Sequence, residues 1–285
     1  MKNPIKIITA AFCLTLAACS AASAQKTEIK PRNLIKSTTF KTETVDFGVG
    51  GTVTIVGAPT GSITVEGWQK NEIEVQAEIE IQAETEADLK MLSTVTGFVF
   101  DDGFGHTRIL SVGTHDRDYM KRTAKKFPKN LLGLPFRIDY KIKVPAYTDL
   151  DINGGKGDLV LANVEGAMLI KFLESNARLS LSGGAVDATF GTGSVEIAIG
   201  KPSWRGRMLN VGLATGTLNV IFPPNMNADL DASILRTGKI ENTFAAMKPR
   251  DRTKFSEKSI IARAGNGGAA LNFKVGDGTL NITGK

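Results

Sequence analysis

A glycine followed by alternating aliphatic residues recurs along the second half of the chain, and this unit constrains the fold more than any other feature. In Gly157-Asp158-Leu159-Val160-Leu161, the glycine can take a positive φ at a sharp corner, and the polar residue after it can face solvent. The two leucines lie two residues apart, so they point to the same side of a strand and enter a core. We define the glycines that begin these units as the corner glycines: Gly61, Gly157, Gly193, Gly216, Gly238 and Gly278.

The units predict an all-β fold, and specifically a repetitive β-solenoid in which each unit supplies one corner and one strand of a coil. A strand with one apolar face cannot bury that face alone, but stacked coils bury it in a continuous core. A degenerate copy, Asn176–Leu181, lacks the glycine, and the successive spacings are then about 20, 16, 23 and 22 residues, which is typical of solenoids. A jelly roll or an immunoglobulin-like sandwich is the alternative, but the regular glycine-first units favour the solenoid.

Short alternating strands are also predicted for residues 38–145, ahead of the repeats predicted for residues 146–285. Thr52–Val56, for example, alternates polar and apolar residues. Residues 84–95 break this pattern with apolar residues at fourfold spacing, and they predict one short amphipathic helix. Residues 114–135 form a basic insertion, which we expect to be a loop with some helix.

The first 24 residues are predicted to be an export signal. Lys2 and Lys6 precede an apolar stretch, Ile7–Ala18, which is shorter than the ~20 residues that a membrane-spanning helix needs. Residues 25–37 are polar and show no periodicity, so we interpret them as a flexible tether ahead of the folded part.

Two cleavage sites compete within this leader. Leu16-Ala17-Ala18-Cys19 resembles a bacterial lipobox, in which the cysteine is lipidated and becomes the new N-terminus. Ala22-Ser23-Ala24 resembles an ordinary cleavage site, which would release a soluble periplasmic or secreted protein. The lipobox is the more specific signal because it needs a cysteine directly after small residues. We therefore predict an outer-membrane lipoprotein that is anchored through Cys19 and faces the periplasm or the cell surface.

Cysteine content and charge exclude several classes of protein. The chain has two cysteines, Cys13 and Cys19, and both lie in the leader. A disulfide framework and a thiolate metal site are therefore excluded for the folded part. The chain has 35 basic and 29 acidic residues; without Lys2 and Lys6 the counts are 33 and 29, a net charge of +4. Such a modest charge does not require a nucleic-acid partner.

Two stretches resemble a family of bacterial β-solenoid domains named "putative adhesin". The first is Gly61–Trp68, followed by Glu72–Val75, and the second is Tyr140–Pro145, which leads into Gly154–Leu161. The resemblance covers roughly residues 45–283. It implies an N-terminal β segment, a strand that ends in proline, and glycine-aspartate-aliphatic coils. It also implies an adhesive role without a catalytic motif.

We find no constellation in the sequence that predicts catalysis, a metal site or a cofactor. The two histidines, His106 and His115, lie near aspartates, but their spacing matches no metal motif. Arg117 and Lys121 would oppose a cation beside His115. Gly154–Gly157 lacks the full phosphate-loop motif and is followed by a strand, so we interpret it as a corner of the fold.

A polysaccharide-acting β-helix enzyme is the enzymatic alternative, because it would share the coil architecture. Such an enzyme needs carboxylates and a basic residue on one face. The candidate carboxylates are scattered singly through the units, and we interpret them as corner or solvent-facing residues; they are Asp151, Asp158, Asp187, Glu196, Asp229 and Asp231. We therefore predict that the protein is not an enzyme.

Six basic residues lie within thirteen positions of the insertion, and we define them as the basic patch. They are Arg117, Lys121, Arg122, Lys125, Lys126 and Lys129. The patch would suit the phosphates of lipopolysaccharide, an acidic polysaccharide or a membrane surface; the alternative is a solvated loop. Trp68 and Trp204 could stack on sugars, or they could instead cover a strand edge or a coil end.

Together these features predict an exported, lipid-anchored envelope protein whose β-solenoid has a non-catalytic, adhesin-like or scaffolding role. An envelope sensor or regulatory binding module is the alternative, and it would have a specific partner protein. The expected partners are polysaccharide, lipopolysaccharide or protein of the envelope or surface, and the membrane through the lipid anchor.

Replacing Cys19 by alanine tests the anchor. Without the thiol no lipid can be attached, so we expect the variant to move from the membrane fraction to the soluble fraction. Immunoblotting of the two fractions measures this, and N-terminal sequencing locates the cleavage site of the wild-type protein. A soluble wild-type protein that begins at Gln25 would contradict the lipobox prediction.

Overall fold

The structure, a computed structural model, describes residues 33–103 and 105–285. The predicted export signal, the lipobox with Cys19 and most of the predicted tether lie outside these residues. The described part is nearly all β, as predicted, and its strands form one 17-stranded sheet.

The strands before residue 146 are β1 (Ile35–Asp46), β2 (Thr52–Val56), β3 (Ile63–Trp68), β4 (Glu72–Ala83), β5 (Gly97–Gly103), β6 (His106–Val112) and β7 (Phe136–Pro145). The later strands are β8 (Asp149–Lys156), β9 (Leu159–Ala162), β10 (Ala167–Leu181), β11 (Gly183–Ile199), β12 (Arg205–Phe222), β13 (Ala228–Ile234), β14 (Gly238–Asn242), β15 (Met247–Pro249), β16 (Ser259–Ala264) and β17 (Ala270–Gly284). The helices of the described part are α1 (Glu86–Ser93) and α2 (Arg117–Thr123), with a 3-10 turn at Lys129–Leu131.

Side-chain alternation explains why these segments form strands. In β2, Val53 and Ile55 are fully buried, while Thr54 between them and the two residues at the strand ends are partly exposed. Branched aliphatic residues fit a pleated, half-buried surface, which is why they favour strands. In β12 the two aliphatics after the corner glycine, Leu218 and Val220, are also fully buried. The inward-pointing residues of the paired strands join one hydrophobic cluster.

Most strands pair in parallel, in two columns. Column A runs in the order β6, β2, β8, β10, β11, β12, β17 and β13. Column B runs in the order β7, β3, β9, β10, β11, β12, β17 and β14. Strands β10, β11, β12 and β17 belong to both columns, because each continues through a corner and pairs on both sides of it.

The later corner glycines stack on one another between the two columns. Gly193 pairs with Gly216, Gly216 with Gly278, and Gly278 with Gly238. At Gly216 φ is 137°, a conformation that favours glycine. A Cβ built on Gly216 would lie 1.9 Å from the carbonyl oxygen of Gly193. Backbone conformation and lack of space therefore both require glycine here.

Ser175 occupies the corresponding position of the degenerate unit. It lies opposite Gly193, and the next residue, Asn176, lies opposite Ser194. Ser175 is buried and keeps a φ outside the positive range. This corner therefore turns along a different backbone path, which tolerates a side chain.

The spatial order of the strands departs from chain order at both ends of the columns. β17 lies between β12 and the pair β13 and β14, so Gly278 stands between Gly216 and Gly238. Similarly, β2 and β3 lie between β6 and β7 on one side and β8 and β9 on the other. The units therefore do not all stack in the order in which they occur in the chain.

A side-chain contact fixes the inserted strand β17 at its corner. The Asp277 carboxylate accepts hydrogen bonds from Arg236 Nε at 2.8 Å and from Thr237 Oγ1 at 2.7 Å. These two bonds join β17 to the turn between β13 and β14. The same bonds lower the pKa of the Asp277 carboxyl to about 2, so the group stays ionised near neutral pH.

Antiparallel strands and a helix flank the two columns. β4 pairs with β7, β1 with β4 and β5 with β6, while β16 pairs with β13 and β15 with β16. Helix α1 begins after Thr85, whose hydroxyl accepts a hydrogen bond from the Asp88 amide, and it buries Leu89 and Leu92. Across residues 33–103 and 105–285, neither helix has the length and apolar character needed to cross a membrane.

The structure differs from the sequence-based expectations at three boundaries. β1 begins at Ile35 and pairs with β4, so residues 35–37 are strand rather than tether. Alternation does not reveal this strand, because β1 is exposed along most of its length.

The helix expected at 84–95 is the shorter α1. The basic insertion at 114–135, expected to be a loop with some helix, contains the second helix, α2, which Asp116 caps. Finally, β2 and β3 pair with β8 and β9, so the sheet continues across residue 145.

Gly216→Ala tests the stacked corners, with Gly212→Ala in the same strand as a matched control. Alanine at 216 would clash with backbone in a positive-φ conformation, so we expect the free energy of unfolding to fall by at least ~2 kcal/mol. A Cβ at Gly212 meets no atom within 4 Å, so we expect no loss and a gain of up to ~1 kcal/mol. Urea unfolding followed by circular dichroism measures both values. Equal stability of the two variants would contradict the requirement for glycine at the corner.

Candidate functional site

The insertion between β6 and β7 carries the basic patch. Met120 and Leu131 are buried and anchor the insertion to the body of the protein. Helix α2 begins after Asp116, whose carboxylate accepts hydrogen bonds from the amides of Asp118 and Tyr119. The anchors and the cap together hold in place the backbone that carries the basic side chains.

All six side chains of the basic patch are exposed. Among the residues that the structure describes, only Lys121 of these six forms an ion pair, with Asp118 at 3.2 Å. The other five positive charges have no ionic partner within that part of the chain. Exposed, uncompensated cations attract anions and anionic surfaces.

Lys125 and Lys126 line a depression of about 430 Å³ between the insertion and the end of α1. Met91 and Phe127 line the same depression, and the Met91 side chain is 38% exposed. Apolar side chains beside positive charges suit an amphipathic anion or an anionic lipid surface.

The two tryptophans differ in how far their rings are exposed. Trp204 is 7% exposed, and its indole N–H donates to the Gly184 carbonyl at 3.0 Å. Trp204 therefore covers the backbone at Gly184, which agrees with the covering role given above as the alternative to sugar stacking. The Trp68 ring is partly buried, and the ammonium groups of Lys70 and Lys143 lie 4.6 and 5.3 Å from its ring centre.

The histidines and the glycine-rich run show no chemical site. His106 begins β6, and His115 packs on Phe136 with 5.2 Å between the ring centres. Within the described ranges, no three or more His, Cys, Asp or Glu side chains are placed to hold a metal ion. Lys156 ends β8 and pairs with Glu174 at 3.1 Å, so the run Gly154–Gly157 leads into a corner.

Four polar side chains form one row on the outer side of column A, and we define them as the polar row: Asp187, Asn210, Asn272 and Asp231. Asp187 lies opposite Asn210, Asn210 opposite Asn272, and Asn272 opposite Asp231. Asn272 Nδ2 donates to Asn210 Oδ1 at 2.8 Å. The interpretation of the two aspartates as scattered singles is therefore wrong. A signal was present, because Asp187, Asn210 and Asn272 each lie six residues before a corner glycine.

Among the other candidate carboxylates, Asp158 and Glu196 lie apart from this row. Asp151 lies on the same line of column A, with Leu169 between it and Asp187. Arg250 contacts both Asp229, at 3.6 Å, and Asp231, at 2.9 Å. Asp229 accepts a hydrogen bond from Arg263 Nε at 2.8 Å, and this contact lowers the pKa of the Asp229 carboxyl. Asp158 accepts from Asn176 Nδ2 at 3.3 Å. Glu196 belongs to column B. These carboxylates therefore do not converge on one point.

Comparisons with known proteins give similarity to solved structures alone. No protein-family model matches the chain, and no curated protein matches it. A "putative cell adhesion protein" from Clostridium sporogenes is similar at 12% identity and a TM-score of 0.46, over 87% of this chain and 100% of that chain. A "putative adhesin" from Bacteroides fragilis is similar at 10% identity and a TM-score of 0.30, over 87% of this chain and 97% of that chain. A "putative lipid binding protein" from Parabacteroides distasonis is similar at 11% identity and a TM-score of 0.33, over 85% and 96%.

Charge reversal tests the basic patch. We expect the wild-type protein to bind vesicles that contain phosphatidylglycerol, and to bind less as salt is raised. The variant Lys125→Glu/Lys126→Glu should bind at least about tenfold more weakly, since each basic residue near an anionic surface contributes about 1 kcal/mol. Vesicle sedimentation measures the affinities.

The matched control is Lys248→Glu/Lys254→Glu, which changes the net charge equally at two exposed lysines outside the insertion. Equal weakening by both variants would show that net charge, rather than the patch, governs vesicle binding.

Proposed function

We propose that this chain is an exported, lipid-anchored envelope protein whose two columns form a β-solenoid with a non-catalytic, adhesin-like or scaffolding role. The parallel pairing of successive strands in both columns, and the stacking of the corner glycines between them, support the solenoid. The export signal, the Cys19 anchor and the outer-membrane location enter the proposal from the sequence, because residues 1–32 lie outside the described part.

The observation that carries the proposal is the regular polar surface on the outside of the columns. On column B, one row crosses five paired strands and consists of Arg178, Glu196, Asn219, Asn281 and Glu241. Asn281 Nδ2 donates to Asn219 Oδ1 at 2.8 Å. The two asparagines of the polar row make the same contact on column A, also at 2.8 Å.

Such rows suit binding to an extended polymer or a surface. Side chains in one row repeat at the spacing of paired strands, about 4.8 Å. The sheet fixes their positions before binding, so a ligand loses less of its binding energy to ordering them. A polymer that contacts many rows gains affinity through multivalency, even if each contact is weak. These properties fit adhesion or scaffolding.

An enzyme of this architecture would need an acid with a raised pKa next to a second functional group. Hydrogen bonds have the opposite effect on two carboxyls here: Arg263 lowers the pKa of Asp229, and Lys201 lowers the pKa of Glu165. Both groups are therefore held ionised. Neither group therefore has the raised pKa that such an acid would need.

Deletion and complementation in the organism that encodes the chain test the proposal. We expect deletion to reduce surface attachment or matrix association, and the wild-type gene to restore it. A gene with Cys19→Ala should restore less, because the released protein cannot link the cell to a polymer. Attachment is measured by counting adherent cells.

Two outcomes would contradict the proposal. Normal attachment after deletion, together with release of unsaturated products from acidic polysaccharide and calcium, would favour the enzyme. Copurification of one protein at a fixed ratio, with normal attachment, would favour the sensor.

A further inference from the structure

Gly212 differs from the other glycines of β12 because the backbone does not require it. Gly206 and Gly216 have positive φ, and an added Cβ would lie 2.0 and 1.9 Å from a neighbouring carbonyl oxygen. Gly212 has a φ outside the positive range, and an added Cβ meets no atom within 4 Å. A glycine inside a strand loses more conformational entropy on folding than other residues do, and it has no side chain to pack against its neighbours. A residue with a side chain would therefore stabilise this position.

Regular pairing on both sides of Gly212 excludes a bulge. Gly212 lies opposite Thr189 of β11 and opposite Lys274 of β17, and the register is unbroken at both pairs. Glycine inside a strand marks a bulge, a tight bend or the close approach of another group. Because no described atom lies within 4 Å of the position of an added Cβ, the space beside Gly212 is free for a group from outside the described chain.

The missing side chain opens a depression of about 470 Å³ on the outer side of column A. Thr189 and Lys274 stand on either side of Gly212, and the polar row runs along one edge. We define this depression as the Gly212 notch; its lining includes Asp187, Thr189, Asn210, Gly212, Asn272 and Lys274.

The notch offers both hydrogen-bond acceptors and donors. The Asp187 carboxylate is exposed and accepts. Asn272 uses its Nδ2 on Asn210, which leaves Asn272 Oδ1 as an acceptor. Asn210 Nδ2 contacts the Met208 sulfur at 3.6 Å, a weak acceptor, so it can donate to a ligand instead. The exposed ammonium of Lys274 is a second donor.

This chemistry matches hydroxyl groups, because each hydroxyl both donates and accepts. The Asp187 and Lys274 charges offset each other, and Arg250 pairs with Asp231 at 2.9 Å, so the notch does not favour a strongly charged ligand. The notch is a surface depression that is open to solvent, which suits one ring of a long chain.

We infer that the Gly212 notch binds one ring of an uncharged polysaccharide, with the ring lying flat on the backbone at Gly212. The inference rests on the adhesive function proposed above and specifies its ligand class. Because a single shallow site makes few contacts, its dissociation constant is on the order of 1 mM. Useful affinity then comes from a polymer that occupies several sites on several copies of the protein.

Gly212→Val fills the notch, and valine suits a strand, so the variant should fold at least as stably as the wild type. The chain expressed without residues 1–24 is titrated with cellohexaose and, separately, with maltohexaose, and chemical-shift changes are followed by NMR. We expect the wild type to bind at least one of them, and Gly212→Val to bind it at least about tenfold more weakly. Asp187→Ala removes an acceptor and should also weaken binding.

Thr279→Val, on the outer side of column B, is the matched control and should bind like the wild type. Binding that survives Gly212→Val would overturn the inference and leave the adhesive function in place, with the polymer bound elsewhere. No binding of either hexasaccharide to the wild type at about 10 mM would also overturn it. A different result, normal attachment of the deletion strain, would contradict the adhesive function itself.

Discussion

The close stacking of the later corner glycines is the contact on which the rest of the structure depends: Gly216, Gly278 and Gly238 each approach the carbonyl oxygen of the glycine before them in the stack. At Gly278 an added Cβ would lie 1.8 Å from the Gly216 carbonyl oxygen, so the two strands can pair through the corner only without a side chain. Because the corners are held in register, the residues on both sides of them are held in register too. The buried aliphatics, the outer polar rows and the notch at Gly212 all follow from that alignment.

The sequence predicts which residues of a unit face inward better than it predicts which strands are neighbours. Leu280 and Ile282 follow a corner glycine and are fully buried, as their alternation predicts. The spatial order of the strands is harder to predict, because the order of strands in the chain does not determine which strands pair with each other. One clue was nevertheless present. The Gly238 unit has a single aliphatic, Ile240, and this weaker unit forms β14, whose register among the described strands is with β17. The Gly278 unit has two aliphatics, Leu280 and Ile282, and it forms part of β17, which lies between β12 and β14.

The candidate sites also differ in how well the sequence predicts them. The basic patch is visible in the sequence because its charges are close together in the chain. The polar row is harder to recognise, since Asn210 and Asn272 are 62 residues apart and meet only through strand pairing. Its signal in the sequence is the shared position of these residues, six residues before a corner glycine. Gly212 looks like any other glycine until its φ and its empty surroundings are known. The role of Trp204 likewise depends on burial, which the sequence alone does not give.

The place of β17 has a consequence for how the protein is made. β13 and β14 precede β17 in the chain, yet β17 must lie between them and β12. While residues 223–269 are still emerging, the edges that β17 will join are unpaired, and such edges can capture strands of other chains. The risk of aggregation or proteolysis therefore depends on how long this segment takes to appear. This end of the sheet can therefore be completed only after β17 has been synthesised, because β17 lies between β12 and the outer strands β13 and β14.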